Sequence, residues 1–260
     1  MFTIEQFNSP EFLNVFVDAG IRKYDYKIGN VSASGVMIYY RGQLVHSQVC
    51  LLKQSTNNIG ELLALYIGVL LGTEYKKNTN ALHPLEEEPK IKFINIFSDS
   101  AYSVNCVTEW FKNWLPTRNN RKQFIGSNGK PVKNQELIES IIRLVNEYGD
   151  KINFIKVRGH QCPDSEKSVN LVSKYLEEAN ISFARILGVN NFNSPTEEVI
   201  KTIIKNNNMV DQLAGSMYSD NPYQVEQLPT LDDIFPVAIY SLRQEEYDYF
   251  LSLTQNYNLL

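Results

Sequence analysis

Hydrophobic residues recur with two different periods along this chain, and the order of those periods predicts an α/β arrangement. Leu13-Asn14-Val15-Phe16-Val17 is β-rich and runs to Asp18 ahead of Ala19-Gly20, which predicts a strand ending in an acid and then a turn. Gly35 to Tyr40 and Gln43 to Leu51, joined by Arg41-Gly42, read as a hairpin, so three antiparallel strands come first. Ser55-Thr56-Asn57-Asn58 supplies helix-capping residue types, and Ile59 to Thr73 is predicted as a helix with Glu61 in its first turn. Stepping by three and four from Glu61 reaches Ala64, Leu65 and Gly68, a face small enough to approach a sheet closely.

Lys76 to Lys90 is polar, charged in blocks and interrupted by proline, and is expected to be a surface loop. The apolar run Ile91 to Phe97 ends at Ser98-Asp99-Ser100, and a helix is predicted from about Tyr102, with Trp110 and Trp114 four apart. Gln135 to Tyr148 carries Leu137, Ile141, Ile142, Leu144 and Val145 on one helical face. Lys151 to Val157 alternates as a half-buried strand and leads into Arg158-Gly159-His160. The order β-β-β-α-β-α-β predicts an α/β fold: a five-stranded mixed sheet, three antiparallel strands then parallel ones, with helices on both faces. Further on, Ser194-Pro195-Thr196-Glu197 reads as a capping box with proline at N1, opening a helix to about Lys205. Asn207 to Tyr218 is expected as a separate short helix carrying Asp211, and a helix-compatible segment spans about Val237 to Leu253.

Composition narrows the classes. Hydrophobic residues make up 43% and charged residues 21%, ordinary for a globular chain, and no run approaches the roughly 18 apolar residues of a membrane span. Met1 to Pro10 holds Glu5 and no basic residue, so it is not expected to act as a signal peptide. Three scattered cysteines (Cys50, Cys106, Cys162) without a C-x-x-C pair argue against a disulfide framework or a zinc site and for a reducing, cytoplasmic setting. The net charge of −4 changes the picture only when its distribution is considered. Phe111 to Gln135 contains Lys112, Arg118, Arg121, Lys122, Lys130 and Lys133 and no acid, a segregation that fits phosphate binding.

Asp18 and Asp99 are expected at strand ends, Glu61 at a helix start and Asp211 at the beginning of a late helix. Converging carboxylates either take up protons or bind hard divalent cations through oxygen. Taken alone, Glu61 would be a first-turn acid complementing the helix dipole.

Several stretches, in order, resemble type 1 ribonuclease H, the family that cuts the RNA strand of RNA–DNA hybrids. They are Val15-Phe16-Val17-Asp18, Ser55-Thr56-Asn57-Asn58-x-x-Glu61-Leu62, Phe97-Ser98-Asp99-Ser100-x-Tyr102 and Trp110-x-x-x-Trp114. Lys130-Pro131-Val132-Lys133-Asn134, Val157-Arg158-Gly159-His160 and Asn207-x-x-x-Asp211-x-Leu213-Ala214 follow. The resemblance implies that Asp18, Glu61, Asp99 and Asp211 hold two Mg²⁺ ions, with Mn²⁺ able to substitute, and that His160 manages proton transfer or product release. It places Gly20 and Asn58 against RNA, and Thr56 and Asn57 against DNA sugar or phosphate. Trp110, Trp114, Arg118, Arg121, Lys122, Lys130, Lys133 and Asn134 become the handle for the hybrid, and Asn207 a neighbour of the fourth acid. The implied reaction is phosphodiester hydrolysis leaving 5′-phosphate and 3′-hydroxyl ends.

Residues 1–11 are then expected as an N-terminal extension, 12–220 as the catalytic domain and 221–260 as a C-terminal extension. The stretch from 161 to 206 is expected as an insertion, placed to contact substrate or, like the tail, a protein partner. Ile59-Gly60 stands where the family carries a bulkier, often basic pair, and Cys162 where it carries glycine. Two alternatives stay open: another nuclease of the same fold acting on DNA, and a non-catalytic hybrid-binding module.

Overall fold

The computed structural model describes residues 1–25, 27–82, 90–114, 123–148, 152–178 and 194–234. Strands β1 (Phe12–Lys23), β2 (Asn30–Tyr40) and β3 (Gln43–Leu52) pair antiparallel, whereas β4 (Phe93–Ser98) and β5 (Ile152–Lys156) join in parallel. The sheet order is β3-β2-β1-β4-β5, the mixed sheet expected. Arg41 and Gly42, with φ of 53° and 77°, make the two-residue turn between β2 and β3; positive φ at both positions suits the right-handed twist of the strands.

Alternation along β1 sends Leu13, Val15 and Val17 to one face and Phe12, Phe16 and Asp18 to the other. The first face packs on α2 (Asn57–Leu82) and, beyond it, α5 (Gln135–Tyr148). Helix α2 is buried all round from Gly60 to Thr73, as a helix enclosed by a sheet and a second helix must be. Gly68 makes that closeness possible, since a Cβ there would lie 2.7 Å from Val17 Cγ1. The opposite face is covered by α1 (Ile4–Phe7), α6 (Glu166–Glu178) and α7 (Glu197–Ser216). Between β4 and α5, α3 (Ala101–Asn105), a π-helical turn (Cys106–Trp110) and α4 (Phe111–Trp114) follow one another. Short helices α8 (Pro222–Glu226) and α9 (Leu231–Ile234) close the described chain. Among the described residues no helix is long and apolar enough to cross a membrane.

Four expectations are corrected. Helix α2 runs through the first part of the expected Lys76–Lys90 loop. Its polar last turns are held against the start of β4: Lys76 Nζ donates to Lys92 O (2.8 Å), and Asn80 exchanges two hydrogen bonds with Ile91 (3.0 and 2.9 Å). Residues 83–89 of that stretch lie outside the described residues. Asp18 does not end a strand, because β1 stays paired with β2 as far as Lys23↔Asn30 while its parallel pairing with β4 stops at Phe16↔Phe97. The two expected late helices are one. Ile203, Ile204 and Val210 keep a continuous apolar face on the sheet, and the buried Asn206 and Asn207 ride inside it, so Asp211 lies well within α7. Finally, the N-cap of α7 is Thr196, not Ser194, because Ser194 O and Thr196 N–H are bonded to Phe2.

The 161–206 stretch supplies Val169, Val172, Leu176, Val199 and Ile200 to the second core. The expected 237–253 helix lies outside the described residues.

Candidate metal centre and nucleic-acid groove

Because β1 continues past the end of β4, Asp18 stands beside the gap into which Asp99 emerges. Helix α2 brings Glu61 to the same point from its second turn, not its first as expected, since the helix starts at Asn57. One carboxylate oxygen from each of Asp18, Glu61 and Asp99 lies within 4.8 Å of the others. Asp18 and Glu61 are 4% and 6% exposed, so these charges face one another with little water between them. Asp18 Oδ1 accepts from the Ala19 N–H at 2.7 Å, Glu61 is hydrogen-bonded by Asn57, and Asp99 by Asn207. Glu61 Oε2 is buried with no hydrogen-bond partner. Among the described residues no Lys or Arg pairs with the three acids.

The electrostatic result is proton uptake. Burial, then repulsion from Asp99, pushes the Asp18 carboxyl up to about 8. Burial, then Asp18 and Asp99, pushes Glu61 up to about 9. Asp99 is also raised by burial, against the opposing pull of Asn207 and His160. A divalent cation relieves both the repulsion and the unpaired oxygen, so the donor set fits a hard metal ion.

Asp211 stands outside the tight trio but close to it. Its Oδ2 is 3.4 Å from His160 Nδ1, and its charge helps raise Asp18 and Asp99. His160 is 80% exposed at a loop tip with φ of 55°, a conformation that L-residues rarely adopt. That loop is tied down by Gln161 Nε2 to Gly159 O (2.8 Å) and Asn208 Nδ2 to Gln161 O (2.6 Å). Helix α7 therefore delivers Asn207, Asn208 and Asp211 to the site together. Gly159 is equally constrained: a Cβ there would sit 1.8 Å from Asp99 Oδ2.

A groove of about 640 Å³ is lined by Asn58, Tyr102, Trp110, Trp114, Lys130 and Lys133 among others, Asn58 standing three residues before Glu61 and Tyr102 three residues after Asp99. Trp110 and Trp114 lie 6.1 Å apart, and Trp114 meets Phe124 at 6.2 Å. Lys130 and Lys133 are exposed on its rim, in a tight loop closed by Gly126 N–H to Lys130 O and Val132 N–H to Phe124 O. Thr56 Oγ1 accepts from the Ile59 N–H (3.2 Å), and Thr56, Asn57 and Asn58 are all exposed. Asn134, with φ of 57°, donates to the Tyr102 hydroxyl at 3.2 Å.

Gly20 lies against Tyr218, whose hydroxyl is 2.9 Å from where a Cβ would be. Gly60 is likewise a packing position, a Cβ there lying 2.8 Å from Ser32 Cβ. Arg118, Arg121 and Lys122 fall outside the described residues. Sequence reasoning missed Gly159, Asn208, Tyr102 and Tyr218 as parts of the site. Gly159 and Tyr102 lay inside quoted motifs, but only their packing reveals why those residue types are needed.

Residues 10–176 match the family model described as RNase H. Ribonuclease HI of Haemophilus influenzae (strain ATCC 51907) is 32% identical over 154 residues, covering 58% of this chain and 80% of that protein. Ribonuclease H of Clostridium botulinum (strain Hall) is 29% identical over 153 residues, covering 58% of this chain and 87% of the relative. A solved structure of LC11-RNase H1 in complex with RNA/DNA hybrid overlays with a TM-score of 0.35 at 15% identity, over 65% of this chain and 99% of that one. The matched stretch contains Asp18, Glu61, Asp99 and His160 in the arrangement described above, and it makes this chain a member of the RNase H family of endoribonucleases.

Proposed function

We propose that the protein hydrolyses the RNA strand of RNA–DNA hybrids, with Asp18, Glu61, Asp99 and Asp211 holding two Mg²⁺ ions. The observation that carries this reading is the meeting of three carboxylate oxygens within 4.8 Å. It is supported by a tryptophan-lined, lysine-rimmed groove that includes Asn58, three residues before Glu61, and Tyr102, three residues after Asp99. Two such ions, when bound, lower the pKa of a water and stabilise the departing oxygen of an in-line displacement. The remaining work belongs to the chain. Asp18 and Glu61, protonated near neutral pH in the absence of a cation, give up those protons as the cation enters, so occupancy rises with pH. His160, exposed and oriented by Asp211, is the group that carries a proton at the leaving 3′-oxygen.

The groove takes the nucleic acid: indole faces meet sugars and bases, and Lys130 and Lys133 meet phosphates. Asn58 at the groove and the neighbouring Thr56 and Asn57 stand where the two strands are told apart by the 2′-hydroxyl.

Asp99→Asn tests the assignment. The variant should lose cleavage of a hybrid in Mg²⁺ while keeping hybrid binding, and double-stranded DNA and double-stranded RNA should stay intact with wild-type protein. Wild-type activity in Asp99→Asn would refute the reading.

A further inference from the structure

Two segments outside the matched RNase H stretch, one before residue 10 and one after residue 176, are joined to each other. The Phe2 N–H donates to Ser194 O, and the Thr196 N–H donates to Phe2 O, both at 2.9 Å. These bonds make a parallel bridge between Phe2 and Pro195 immediately ahead of α7. The bridge is backed by an aromatic chain. Phe2 meets Phe7 edge-on at 6.3 Å, Phe7 meets Phe97 at 5.9 Å, and Phe97 stacks on Phe16 at 4.6 Å. Phe97 lies two residues before Asp99 on β4.

A polar chain runs beside the aromatic one. Asn14 Nδ2 donates to Phe7 O (2.9 Å), Asn95 Nδ2 to Asn14 Oδ1 (3.0 Å) and Asn153 Nδ2 to Asn95 Oδ1 (3.0 Å). The three asparagines stand opposite one another in the register of β1, β4 and β5, with Asn14 and Asn95 buried and Asn153 half-buried. A Thr3–Gln6 capping box closes α1 itself. Residues 2–8 are thus tied at once to the strand that carries Asp18, to the strand that leads into Asp99 and to the start of the helix that carries Asp211.

At its other half α7 rests on Gly35, where the missing side chain lets Val210 approach the strand (3.2 Å from a Cβ placed there to Val210 O). A glycine seat brings the helix close without a side chain that would lock its axial position there, so the register is held by contacts elsewhere along the helix, its start included. One residue of slippage is about 1.5 Å along the helix. We propose that residues 2–8 are a positioning latch: they fix the start of α7 and thereby the register of Asn207, Asn208 and Asp211 against Asp99 and the His160 loop. The inference rests on the proposed role of Asp211 in the site.

The test compares wild type with a deletion of residues 2–8 and with Phe2→Ala, which leaves α1 in place. Three readouts are needed: kcat and KM on a hybrid, Mn²⁺ binding without nucleic acid, and amide hydrogen exchange of α7 against α2. A misplacement of about 1 Å at a reacting site costs about 10²-fold, so kcat of the deletion should fall on that order with KM for the hybrid nearly unchanged. Mn²⁺ binding should weaken, and exchange should rise in α7 and not in α2. A peptide of residues 1–9 added in trans should restore the rate of the deletion. Should the deletion fail to fold, Phe2→Ala decides, with the same pattern in smaller measure.

Wild-type kcat, Mn²⁺ binding and α7 exchange in a folded variant would overturn the latch. So would a uniform rise of exchange in α2 and α7, which marks a merely structural role. If wild-type protein left hybrids uncut, the proposed function would fall, and Mn²⁺ binding with α7 exchange would still decide the latch.

Discussion

Glu61→Gln should make the metal-free protein more stable, and the reason lies in where its proton sits. Burial, then Asp18 and Asp99, raises this carboxyl from 4.5 to about 9. Between those values the folded state holds a proton that the unfolded chain has released. The unfolded state therefore binds fewer protons, and stability falls as pH rises from about 4.5 towards 9. At pH 7.5 the penalty is about 1.4 kcal/mol for each unit above 4.5, or about 4 kcal/mol for Glu61 treated alone. Asp18 shares the same charge cluster, so about 2 kcal/mol is the figure to expect from changing one member. Glutamine retains the shape, leaves the Asn57 contact possible and turns the partnerless Oε2 position into a donor facing two carboxylates.

For a domain of this size that gain is a rise in Tm of about 4–8 °C at pH 7.5 in EDTA. The gain should vanish near pH 4.5. Added Mn²⁺ or Mg²⁺ should raise the Tm of wild type more than that of the variant, because the cation replaces the protons. Thermal unfolding followed by circular dichroism at several pH values, with EDTA and with metal, measures all of this. A variant no more stable than wild type at pH 7.5, or a difference that ignores pH, would refute the reasoning.

Gly159→Ala should leave hybrid binding intact but lower kcat by about 10²-fold, since its Cβ would meet Asp99 Oδ2 at 1.8 Å and the loop must move; steady-state kinetics beside a binding titration separates the two. Gly68→Ala pushes α2 off Val17 and should destabilise the fold by about 1–3 kcal/mol in urea unfolding, with kcat per folded molecule preserved. Replacing Lys130 and Lys133 together by alanine should make the salt dependence of hybrid binding shallower, by about one unit of slope for each phosphate that is no longer neutralised. A slope equal to that of wild type would remove both lysines from the interface.

Asp99 and Glu61 were legible in the chain because each is announced locally, one by an apolar run that stops at an acid and the other by capping residues ahead of a helix. Local signals of this kind depend on nearest neighbours, and they also supplied the hairpin at Arg41-Gly42, the span of the Gln135–Tyr148 helix and the succession of strands and helices along the chain. Where the reading went astray, distant partners were responsible. Lys76 to Leu82 looked like loop until Lys92 and Ile91 gave its polar groups somewhere to bond. Asp18 looked like a strand end because nothing near it reports that β2 stays paired beyond it.

The long helix α7 is the clearest case. Three consecutive asparagines at 206–208 argue locally against a helix, yet two of them are buried, one reaching Asp99, and the third ties down the His160 loop. What the sequence by itself determined, then, was which acids are present and which elements carry most of them. Only the tertiary structure decided that three carboxylates meet within 4.8 Å, that Gly159 must lack a side chain, and that residues 2–8 hold the start of the fourth acid's helix. Those facts are distances between residues far apart in the chain, and periodicity and capping signals carry no information about such distances.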